Sequence, residues 1–426
     1  MIIQPASHLT GTLSIPGDKS ISHRSIMLGS LAEGTTKIYN FLMGDDCLST
    51  IQCFRHLGIH IEVNHDCILV HGKGLHGLSA PSCILDCGNS GTTTRLISGI
   101  LAGQSFISTL TGDASIQKRP MKRIITPLRQ MQATVQGKED NFCPLTLYPS
   151  QLEGISYSSP VASAQVKSCI LLAGLYATTP TTVCEPTLSR DHTERMLSAF
   201  GATLERHERC VTIYPNPQLK AQEIVVPGDI SSAAFFMVAG LIIPNSKLIL
   251  KNVGINPTRR GILDALLKMG GSITCFNEKE VSGEPVCDML VESSNLHGIT
   301  IEGDIIPTMI DEIPALAVAA LFATGTTTIK DASELRVKES NRIDTMCHEL
   351  QKMGAHIQPL EDGMIIEGNA TLHGAQVESY DDHRIAMSLS IAALKASTPS
   401  EILNSECISI SYPQFFEHLK SIQDAL

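Results

Sequence analysis

The sequence contains no tryptophan, and aromatic residues make up only 4% of it. Proteins that hold single-stranded nucleic acid stack bases on aromatic side chains, so this composition argues against that class. Basic residues are also scarce, because 32 Lys and Arg stand against 43 Asp and Glu, a formal net charge of -11. A general polyanion-binding surface is therefore excluded, although a local cationic pocket for a small anion is not.

The chain has no long apolar run. The longest one, residues 233–243, is too short to cross a bilayer. Residues 1–17 have neither the basic start nor the apolar core of a secretory signal. We therefore expect a cytoplasmic protein with no membrane or nucleic-acid partner. A monomer is a separate expectation, which these features do not decide.

Metal and disulfide motifs are missing as well. There are 13 cysteines, an odd number, and neither a C-x-x-C nor an H-E-x-x-H motif occurs. Cys83 and Cys87 are the closest pair in sequence, and no histidine follows them at ligand spacing. The pattern predicts reduced thiols, with neither paired disulfides nor a structural zinc site.

What the chain does have is an internal repeat. Its 426 residues, 43% of them hydrophobic, are enough for two or three domains. Six segments open with a polar turn before an apolar helix, roughly 65 to 85 residues apart. These openings are residues 16–20, 86–90, 162–165, 227–231, 310–313 and 380–384.

The repeats also close alike. Helices end in small residues and return to a strand, as in Met353-Gly-Ala-His-Ile357, which suits a helix C-cap. The tripeptide Pro-Gly-Asp occurs at 16–18 and again at 227–229. Three repeats begin before the second tripeptide, and three begin with it or after it. The pattern predicts an α/β protein of two similar lobes with three units each. No G-x-G-x-x-G follows a strand, and Thr12 stands where a Walker loop before Lys19 would need its first glycine.

Charged residues recur in these openings and in the loops that follow the middle strands. Equivalent helix N-termini would then converge on one cleft, where N–H groups, arginine and lysine bind anions. This favours a small substrate with several negative charges. Taken singly, each residue also has an ordinary structural reading: Lys19 as a solvated turn residue, Asp311 as an N-cap, and Cys87 as a buried thiol.

The combination of motifs resembles the 5-enolpyruvylshikimate-3-phosphate synthases, also called 3-phosphoshikimate 1-carboxyvinyltransferases, in the bacterial form often called class II. The resemblance runs over essentially the whole chain, from Pro16 to Phe416. Its most specific motifs are Pro16-Gly-Asp-Lys-Ser-Ile-Ser-His-Arg24, Gly88-Asn-Ser-Gly-Thr92, Arg119-Pro120, Ser163-Ala-Gln165, Arg336-Val-Lys-Glu339 with Arg342, and Asp381-Asp-His-Arg384.

The resemblance implies an inside-out α/β barrel in each of two lobes, each built from three βαβαββ units. One lobe would comprise residues 1-16 plus 228-426 and the other residues 17-227, with the substrates in the cleft between them. It implies transfer of the enolpyruvyl group of phosphoenolpyruvate to the 5-hydroxyl of shikimate 3-phosphate. Phosphate would leave through a tetrahedral intermediate, in the biosynthesis of chorismate and aromatic amino acids. No metal or organic cofactor is expected.

Site residues follow from the resemblance position by position. Those expected to bind shikimate 3-phosphate are Lys19, Ser20, Arg24, Ser163, Gln165, Asp311 and Lys338. Those expected to bind phosphoenolpyruvate are Lys19, Gly91, Arg119, Gln165, Arg342 and Arg384. The expected catalytic groups are Asp311 as general base, Glu339 as acid, and Lys19. Glu339 must then be protonated near neutral pH, which the cation of the adjacent Lys338 opposes.

The chain departs from the family at three places. Ile410 stands where many members have a lysine, so this position is left out of the expected site residues. Ala164 replaces a serine of the best-known subgroup. His192, after Ser189-Arg-Asp, stands where some members use a tyrosine against the shikimate ring.

Two other functions are weighed. The related UDP-N-acetylglucosamine enolpyruvyl transferases share the fold, but they typically have Asn where this chain has Ser20, and a reactive loop cysteine. A binding protein without catalysis is the second, and the intact Lys19, Asp311 and Glu339 argue against it.

Overall fold

The computed structural model describes residues 1–423 and shows a mixed α/β protein. Its helices are α1 Lys19–Leu31, α2 Asp45–His56, α3 Gly91–Ala102, α4 Lys122–Gln130, α5 Ala164–Gly174, α6 His192–Ala199, α7 Ile230–Ile242, α8 Gly261–Lys268, α9 Ile306–Met309, α10 Ile313–Leu321, α11 Arg342–Lys352, α12 His383–Leu394 and α13 Phe415–Gln423. The α/β class predicted from the sequence is confirmed.

The strands are short. They are β1 Ile2–Ile3, β2 Thr10–Ser14, β3 Glu33–Tyr39, β4 His60–Val63, β5 Cys67–Lys73, β6 Leu85–Asp86, β7 Ser108–Thr111, β8 Thr134–Lys138, β9 Phe142–Tyr148, β10 Ser156–Ser158, β11 Thr181–Cys184, β12 Leu204–His207, β13 Cys210–Ile213, β14 Glu223–Val225, β15 Lys247–Gly254, β16 Ser272–Val281, β17 Glu284–Glu292, β18 Thr300–Ile301, β19 Thr326–Ile329, β20 Ile357–Leu360, β21 Gly363–Glu367, β22 Gln376–Glu378 and β23 Ser400–Leu403.

The chain divides into two compact units. Unit 1 comprises Met1–Asp18 and Pro227–Leu426, and unit 2 comprises Lys19–Val226. Each unit has its own hydrophobic core. The sequence-based assignment of 1-16 plus 228-426 and 17-227 to two functional lobes stays a prediction.

Within the described residues, each unit contains three small sheets that follow one plan. Unit 2 has the strand orders β14-β3-β5-β4, β6-β7-β9-β8 and β10-β11-β13-β12, and unit 1 has β16-β17-β15-β2, β18-β19-β21-β20 and β1-β23-β22. Every sheet has one parallel strand pair, and its other pairs are antiparallel. The six sheets correspond to the six sequence repeats. The sheet β1-β23-β22 has three strands instead of four, and one of them is the N-terminal strand Ile2–Ile3.

Six mostly buried helices form the interior of the two units, and small residues let them approach one another closely. We call them the inner helices: they are α1, α3 and α5 in unit 2 and α7, α10 and α12 in unit 1. In unit 1, helices α7, α10 and α12 are buried along their whole length. In unit 2, α3 is buried at all but one of its residues. A Cβ at Gly99 would lie 2.2 Å from the carbonyl oxygen of Cys169, so only glycine allows α3 to pack this closely on α5. Because these helices are buried on nearly every face, they have no stripe of polar residues facing solvent.

The repeat closings are left-handed C-caps. After α6 and α11, Gly201 and Gly354 have φ values of 100° and 94°. After α4 the equivalent residue is Gln132, which keeps the left-handed conformation at φ 69°. The residue after the helix must therefore adopt a left-handed backbone conformation before the chain enters the next strand. One repeat meets this requirement without glycine.

The two Pro-Gly-Asp tripeptides pair with each other. Gly17 and Gly228 form an antiparallel bridge. The backbone N–H of Asp18 donates to Pro227 at 2.7 Å, and that of Asp229 donates to Pro16 at 2.8 Å. The recurrence that divides the sequence into two halves is therefore a paired structural element.

One prediction from cysteine spacing is wrong. Cys184 on β11 and Cys210 on β13 are directly opposite in the antiparallel ladder and form a disulfide, with their Cα atoms 4.0 Å apart. Strand pairing, which the spacing of 26 residues does not reveal, brings the two thiols together. No helix within residues 1–423 is long and apolar enough to cross a membrane.

Candidate functional site

In unit 2 the predicted ligand residues gather at the N-termini of the inner helices α1, α3 and α5. Ser90 caps α3 by accepting from the N–H of Thr93 at 3.0 Å, and Ser163 caps α5 by accepting from the N–H of Val166 at 3.4 Å. Serine favours this position because its hydroxyl satisfies one of the unpaired first-turn donors. The other N–H groups at such a helix end are suited to anions.

Lys19 and Arg24 lie on the first turns of α1. The Lys19 ammonium forms an ion pair with Asp46, and 15% of its side chain is exposed. Arg24 is buried and donates from Nε to Thr193 at 2.6 Å and from Nη2 to Ser168 at 3.0 Å. These contacts join α1 to α5 and α6, so the guanidinium is held rigidly. Ser20 lies beside Lys19, and its carbonyl accepts from Arg24 at 2.9 Å.

Gly91 is the first residue of α3, and two arginines approach it. A Cβ at this position would lie 2.8 Å from Nη1 of Arg95 and 3.2 Å from Nη1 of Arg119. Arg119 is oriented by donating to Asn89 at 2.9 Å and to Ser115 at 3.0 Å. The absence of a side chain at Gly91 therefore leaves two guanidinium groups beside bare backbone, an arrangement suited to carboxylate or phosphate.

Arg95 is a residue that the predicted set omits. Its Nη1 donates to Oε1 of Gln165 at 2.5 Å, while Nε2 of Gln165 donates to Thr92 at 3.1 Å. Arg95 thus links α3 to α5 and fixes which face of the Gln165 amide donates. Because Arg95 lies one helical turn after Gly91, its spacing in the sequence is the feature that could have identified it as part of the set.

Behind α5 lies a buried charge cluster. Lys167 is 3% exposed and forms ion pairs of 2.8 Å with both Glu185 and Glu194. Burial would lower the pKa of Lys167, but the charges of Glu194 and Glu185 outweigh it and raise that pKa. Glu185 also accepts from the Ser189 hydroxyl at 2.6 Å and from the Ser163 N–H at 3.1 Å. Ser189 and Lys167 therefore organise this opening from inside the protein.

A buried chain of hydroxyl groups connects α1 to α3. Nδ1 of His23 lies 2.7 Å from the Thr50 hydroxyl, which is 2.7 Å from that of Thr93. Thr93 in turn donates to Ser90 at 2.7 Å. Burial, together with the charges of Lys19 and Arg24, lowers the pKa of His23 well below its usual value, so it is neutral near pH 7. His192, the other weighed histidine, is buried at the start of α6.

In unit 1 the predicted residues gather around Asp311. One oxygen of Asp311 lies 3.4 Å from the Lys338 ammonium and 3.3 Å from Nη1 of Arg342. These residues come from the turn before α10, the loop before α11 and the start of α11. Two cationic side chains therefore lie beside one carboxylate.

Arg342 is the centre of this set. Its guanidinium is 1% exposed, forms an ion pair with Glu339, and donates from Nε to Asp382 at 2.8 Å. Burial opposes its charge, but the carboxylates of Asp382, Glu339 and Asp311 outweigh that effect and raise its pKa. The positive charge of Arg342 is thus fixed by three acidic neighbours.

Arg384 differs from its neighbours. It is the second residue of α12, its backbone N–H donates to the capping Asp382 at 3.0 Å, and it is 7% exposed. Within residues 1–423 its guanidinium forms no ion pair and no hydrogen bond. A buried cation without a counter-ion is costly, so this position is arranged for an anionic ligand.

A second ionic cluster, which the predicted set omits, lies at the openings of α7 and α10. Buried Arg259 pairs with Asp229 at 3.4 Å and with Glu312 at 3.5 Å, and the Ser231 hydroxyl donates to Glu312. Arg259 appeared in no motif, because its partners lie in other repeats. At the Ile410 position the described chain offers only an apolar, half-buried side chain at the end of the 3-10 helix Ser405–Ile410.

The predicted residues therefore form two sets, one in each unit. The unit 2 set is Lys19, Ser20, Arg24, Gly91, Arg119, Ser163 and Gln165, and the unit 1 set is Asp311, Lys338, Glu339, Arg342 and Arg384. The tertiary structure adds Arg95 to the first set and Asp382 to the second. The ligands and roles of all these residues stay predictions.

Solved structures with the same architecture identify the class of fold. The enolpyruvyl transferase NikO from Streptomyces tendae matches with a TM-score of 0.81, covering 99% of this chain and 96% of that one, at 16% sequence identity. An EPSP synthase from Acinetobacter baumannii matches with a TM-score of 0.88 at 47% identity, covering 99% of this chain and 97% of that one. The protein therefore has the enolpyruvyl transferase fold, as the sequence resemblance implies.

Sequence comparison gives the family. The sequence model of EPSP synthase (3-phosphoshikimate 1-carboxyvinyltransferase) matches residues 3–419. A 3-phosphoshikimate 1-carboxyvinyltransferase of Thermoanaerobacter sp. (strain X514) is 56% identical over 409 residues, 96% of each chain. One of Bacillus cytotoxicus is 56% identical over 415 residues, 97% of this chain and 98% of that one. The chain belongs to the EPSP synthase family, and the family resemblance noted in the sequence is confirmed.

Proposed function

We propose that this protein transfers the enolpyruvyl group of phosphoenolpyruvate to the 5-hydroxyl of shikimate 3-phosphate and releases phosphate. The observation that carries the proposal is the family match over residues 3–419, which includes every residue of both sets. The chemistry of the sets supports it, because both substrates are small polyanions and each set contains several cationic side chains.

Shikimate 3-phosphate carries one phosphate, one carboxylate and several hydroxyl groups. Lys19 and Arg24 supply cations, Ser20, Ser163 and Gln165 supply hydrogen bonds, and Lys338 lies beside Asp311. Because Arg24 is already held by Thr193 and Ser168, little side-chain freedom is lost when the ligand binds.

Phosphoenolpyruvate is the smaller and more highly charged ligand. Arg119 and Arg384 would bind it with Lys19, Gln165 and Arg342, and the bare backbone at Gly91 leaves room for its approach. Arg384 is the residue most clearly prepared for this, since its guanidinium is buried and has no partner in the described chain.

Asp311 and Glu339 carry the proton transfers in this proposal. Asp311 removes the proton of the 5-hydroxyl group as the oxygen of that hydroxyl group attacks C2 of phosphoenolpyruvate. Glu339 donates a proton to the methylene carbon C3. The tetrahedral intermediate then loses phosphate while the Glu339 carboxylate takes back a proton from the new methyl group, which forms the enol ether of the product. General acid and base groups contribute about 10² to 10⁴-fold each.

Arg342 links substrate binding to the protonation of Glu339. In the structure the Arg342 guanidinium forms an ion pair with Glu339. An anionic substrate that binds Arg342 competes for the same donors and releases Glu339, which can then take up the proton that an acid must give. Arg342 is thus a second cation, in addition to Lys338, that opposes the acid form of Glu339.

The reaction is tested by measuring phosphate release from phosphoenolpyruvate with and without shikimate 3-phosphate. We expect release that requires shikimate 3-phosphate and falls by at least about 10²-fold in Asp311→Ala. Glu302→Ala is the matched control, because Glu302 is an exposed carboxylate paired with Lys330 on the surface. Unchanged release in Asp311→Ala would exclude it as the base.

The two other functions give different outcomes. Release that requires UDP-N-acetylglucosamine would identify the related transferase activity. Binding of shikimate 3-phosphate by calorimetry without any release would identify a binding protein. Glu339→Gln tests the acid role separately, because an unchanged rate and pH profile would remove Glu339 from the chemistry.

The proposal includes a monomer in the cytoplasm. Each unit has its own core, and all proposed ligands come from one chain. Apart from Cys184 and Cys210, the cysteines are not disulfide-bonded, which supports a reducing compartment. Sedimentation velocity would test the oligomeric state.

A further inference from the structure

Two histidines and a glutamate lie together on the sheet β14-β3-β5-β4 of unit 2, apart from the proposed ligand set. His60 on the edge strand β4 is directly opposite His71 on β5. Glu62 is two residues beyond His60, so its side chain projects from the same face of β4. The pairing register of the two strands, rather than any sequence motif, creates this group.

The ligand atoms of the three side chains are already close to one another. Oε1 of Glu62 lies 2.7 Å from Nε2 of His71 and 3.4 Å from Nε2 of His60. The two imidazole rings are stacked, with centroids 5.0 Å apart and an angle of 22° between their planes. One ligand atom from each residue lies within 4.8 Å of the other two, and no second group within residues 1–423 meets that condition.

A neighbouring hydroxyl orients one of the ligands. Oγ1 of Thr35 on β3 lies 3.0 Å from Nδ1 of His71. When Nδ1 of a histidine is hydrogen-bonded to such a group, the ring orientation is fixed and Nε2 is left to bind a metal ion. The arrangement therefore includes an outer contact of the kind that metal-binding histidines have.

We propose that His60, Glu62 and His71 form a binding site for a divalent transition metal ion of borderline softness, with Zn²⁺ as the representative ion. Two imidazole nitrogens and one carboxylate oxygen are a ligand set that Zn²⁺ accepts, with water at the remaining position. A hard ion such as Mg²⁺ prefers an all-oxygen set and is not suited to this site.

The exposure of the ligands determines how the site behaves. The side chains of His60, Glu62 and His71 are 71%, 41% and 37% exposed, so an ion reaches them without any opening of the fold. Bound metal would cross-link the edge strand β4 to β5, which makes its role structural rather than catalytic.

Zinc binding to the whole protein tests the proposal, in a Cys83→Ser background because Cys83 is an exposed thiol. We expect one ion per chain by equilibrium dialysis, binding at least about tenfold weaker in His71→Ala, and a Zn²⁺-dependent rise in Tm that His71→Ala loses. His65→Ala is the matched control, because His65 is a fully exposed histidine in the adjoining turn.

Cobalt distinguishes the site from binding elsewhere. Co²⁺ bound by nitrogen and oxygen gives visible absorption without the thiolate charge-transfer band. We expect that spectrum in the parent protein and in His65→Ala, and its loss in the His60→Ala/His71→Ala double variant. No stoichiometric binding to the parent, equal binding to the double variant, or a thiolate spectrum would each overturn the proposal. Phosphate release in His71→Ala should equal that of the parent.

Discussion

Arg342 and Asp382 form a buried ion pair in which Nε and Oδ2 are 2.8 Å apart and neither side chain is more than 1% exposed. Asp382 also accepts from the N–H of Arg384 and so caps α12. One carboxylate thus holds an arginine of α11 and the start of the helix that carries the second arginine. The pair fixes two proposed phosphoenolpyruvate ligands relative to each other.

Asp382→Asn tests this linkage. We expect a loss of roughly 1.5 to 3 kcal/mol in the free energy of unfolding, because buried Arg342 loses one of its three carboxylate partners, and a large loss of phosphate release. Urea unfolding and the release assay measure the two effects. Asp344→Asn is the control, since that exposed carboxylate pairs with Arg336 on the surface and should cost less than about 1 kcal/mol.

Arg384→Ala should separate ligand binding from stability. Its guanidinium has no partner within residues 1–423, so removal should leave the free energy of unfolding unchanged or slightly raised. The KM for phosphoenolpyruvate should rise by about 10²-fold or more, which corresponds to the loss of a charge-assisted contact of roughly 3 kcal/mol. A variant that is destabilised by several kcal/mol with an unchanged KM would contradict the assignment.

His23 predicts a pH dependence of stability. Burial first, and then the charges of Lys19 and Arg24, lower the pKa of His23 well below 6.5 in the folded protein. The unfolded chain therefore binds more protons below pH 6.5, and the stability contributed by neutral His23 is lost as pH falls from there.

The measurement is urea unfolding at several pH values below 7. His23→Asn should remove a slope of about 1.4 kcal/mol per pH unit in the acid range, because its side chain does not titrate. His65→Asn, at an exposed position, should leave that slope in place. Identical slopes in the wild type and His23→Asn would refute the prediction.

Gln132 predicts a stabilising substitution. It is exposed and has the left-handed φ of 69° that glycine occupies at the other repeat closings. Gln132→Gly should raise the free energy of unfolding by about 0.5 to 1 kcal/mol, because relief of the strained backbone exceeds the entropic cost of glycine. The measurement is thermal unfolding.

The reverse substitution at an equivalent position is the control. Gly201 has a φ of 100°, and a Cβ there would meet nothing closer than 3.4 Å, so Gly201→Gln adds backbone strain without a clash. It should lower the stability by about 1 kcal/mol. Equal stability of Gln132→Gly and the wild type would show that this closing is not strained.

The sequence by itself determined the repeat and most of the proposed ligands. Turn residues, N-capping serines such as Ser90 and Ser163, and left-handed closings are local features, since each acts within one turn of the chain. The apolar helices that follow the openings could be predicted for the same reason. Family membership could be read from motifs that contain Lys19, Gln165 and Arg384.

Only the tertiary structure decided which distant residues meet. Arg95 reaches Gln165 across 70 positions of the chain. Cys184 reaches Cys210, and His60 reaches His71, through strand pairing. A one-residue shift in register would turn each of these side chains to the other face of its sheet, and local sequence does not specify the register. Contacts between repeats depend on the packing of the whole unit. For this reason the ligand-binding residues could be predicted from the sequence, and the residues that orient them could not.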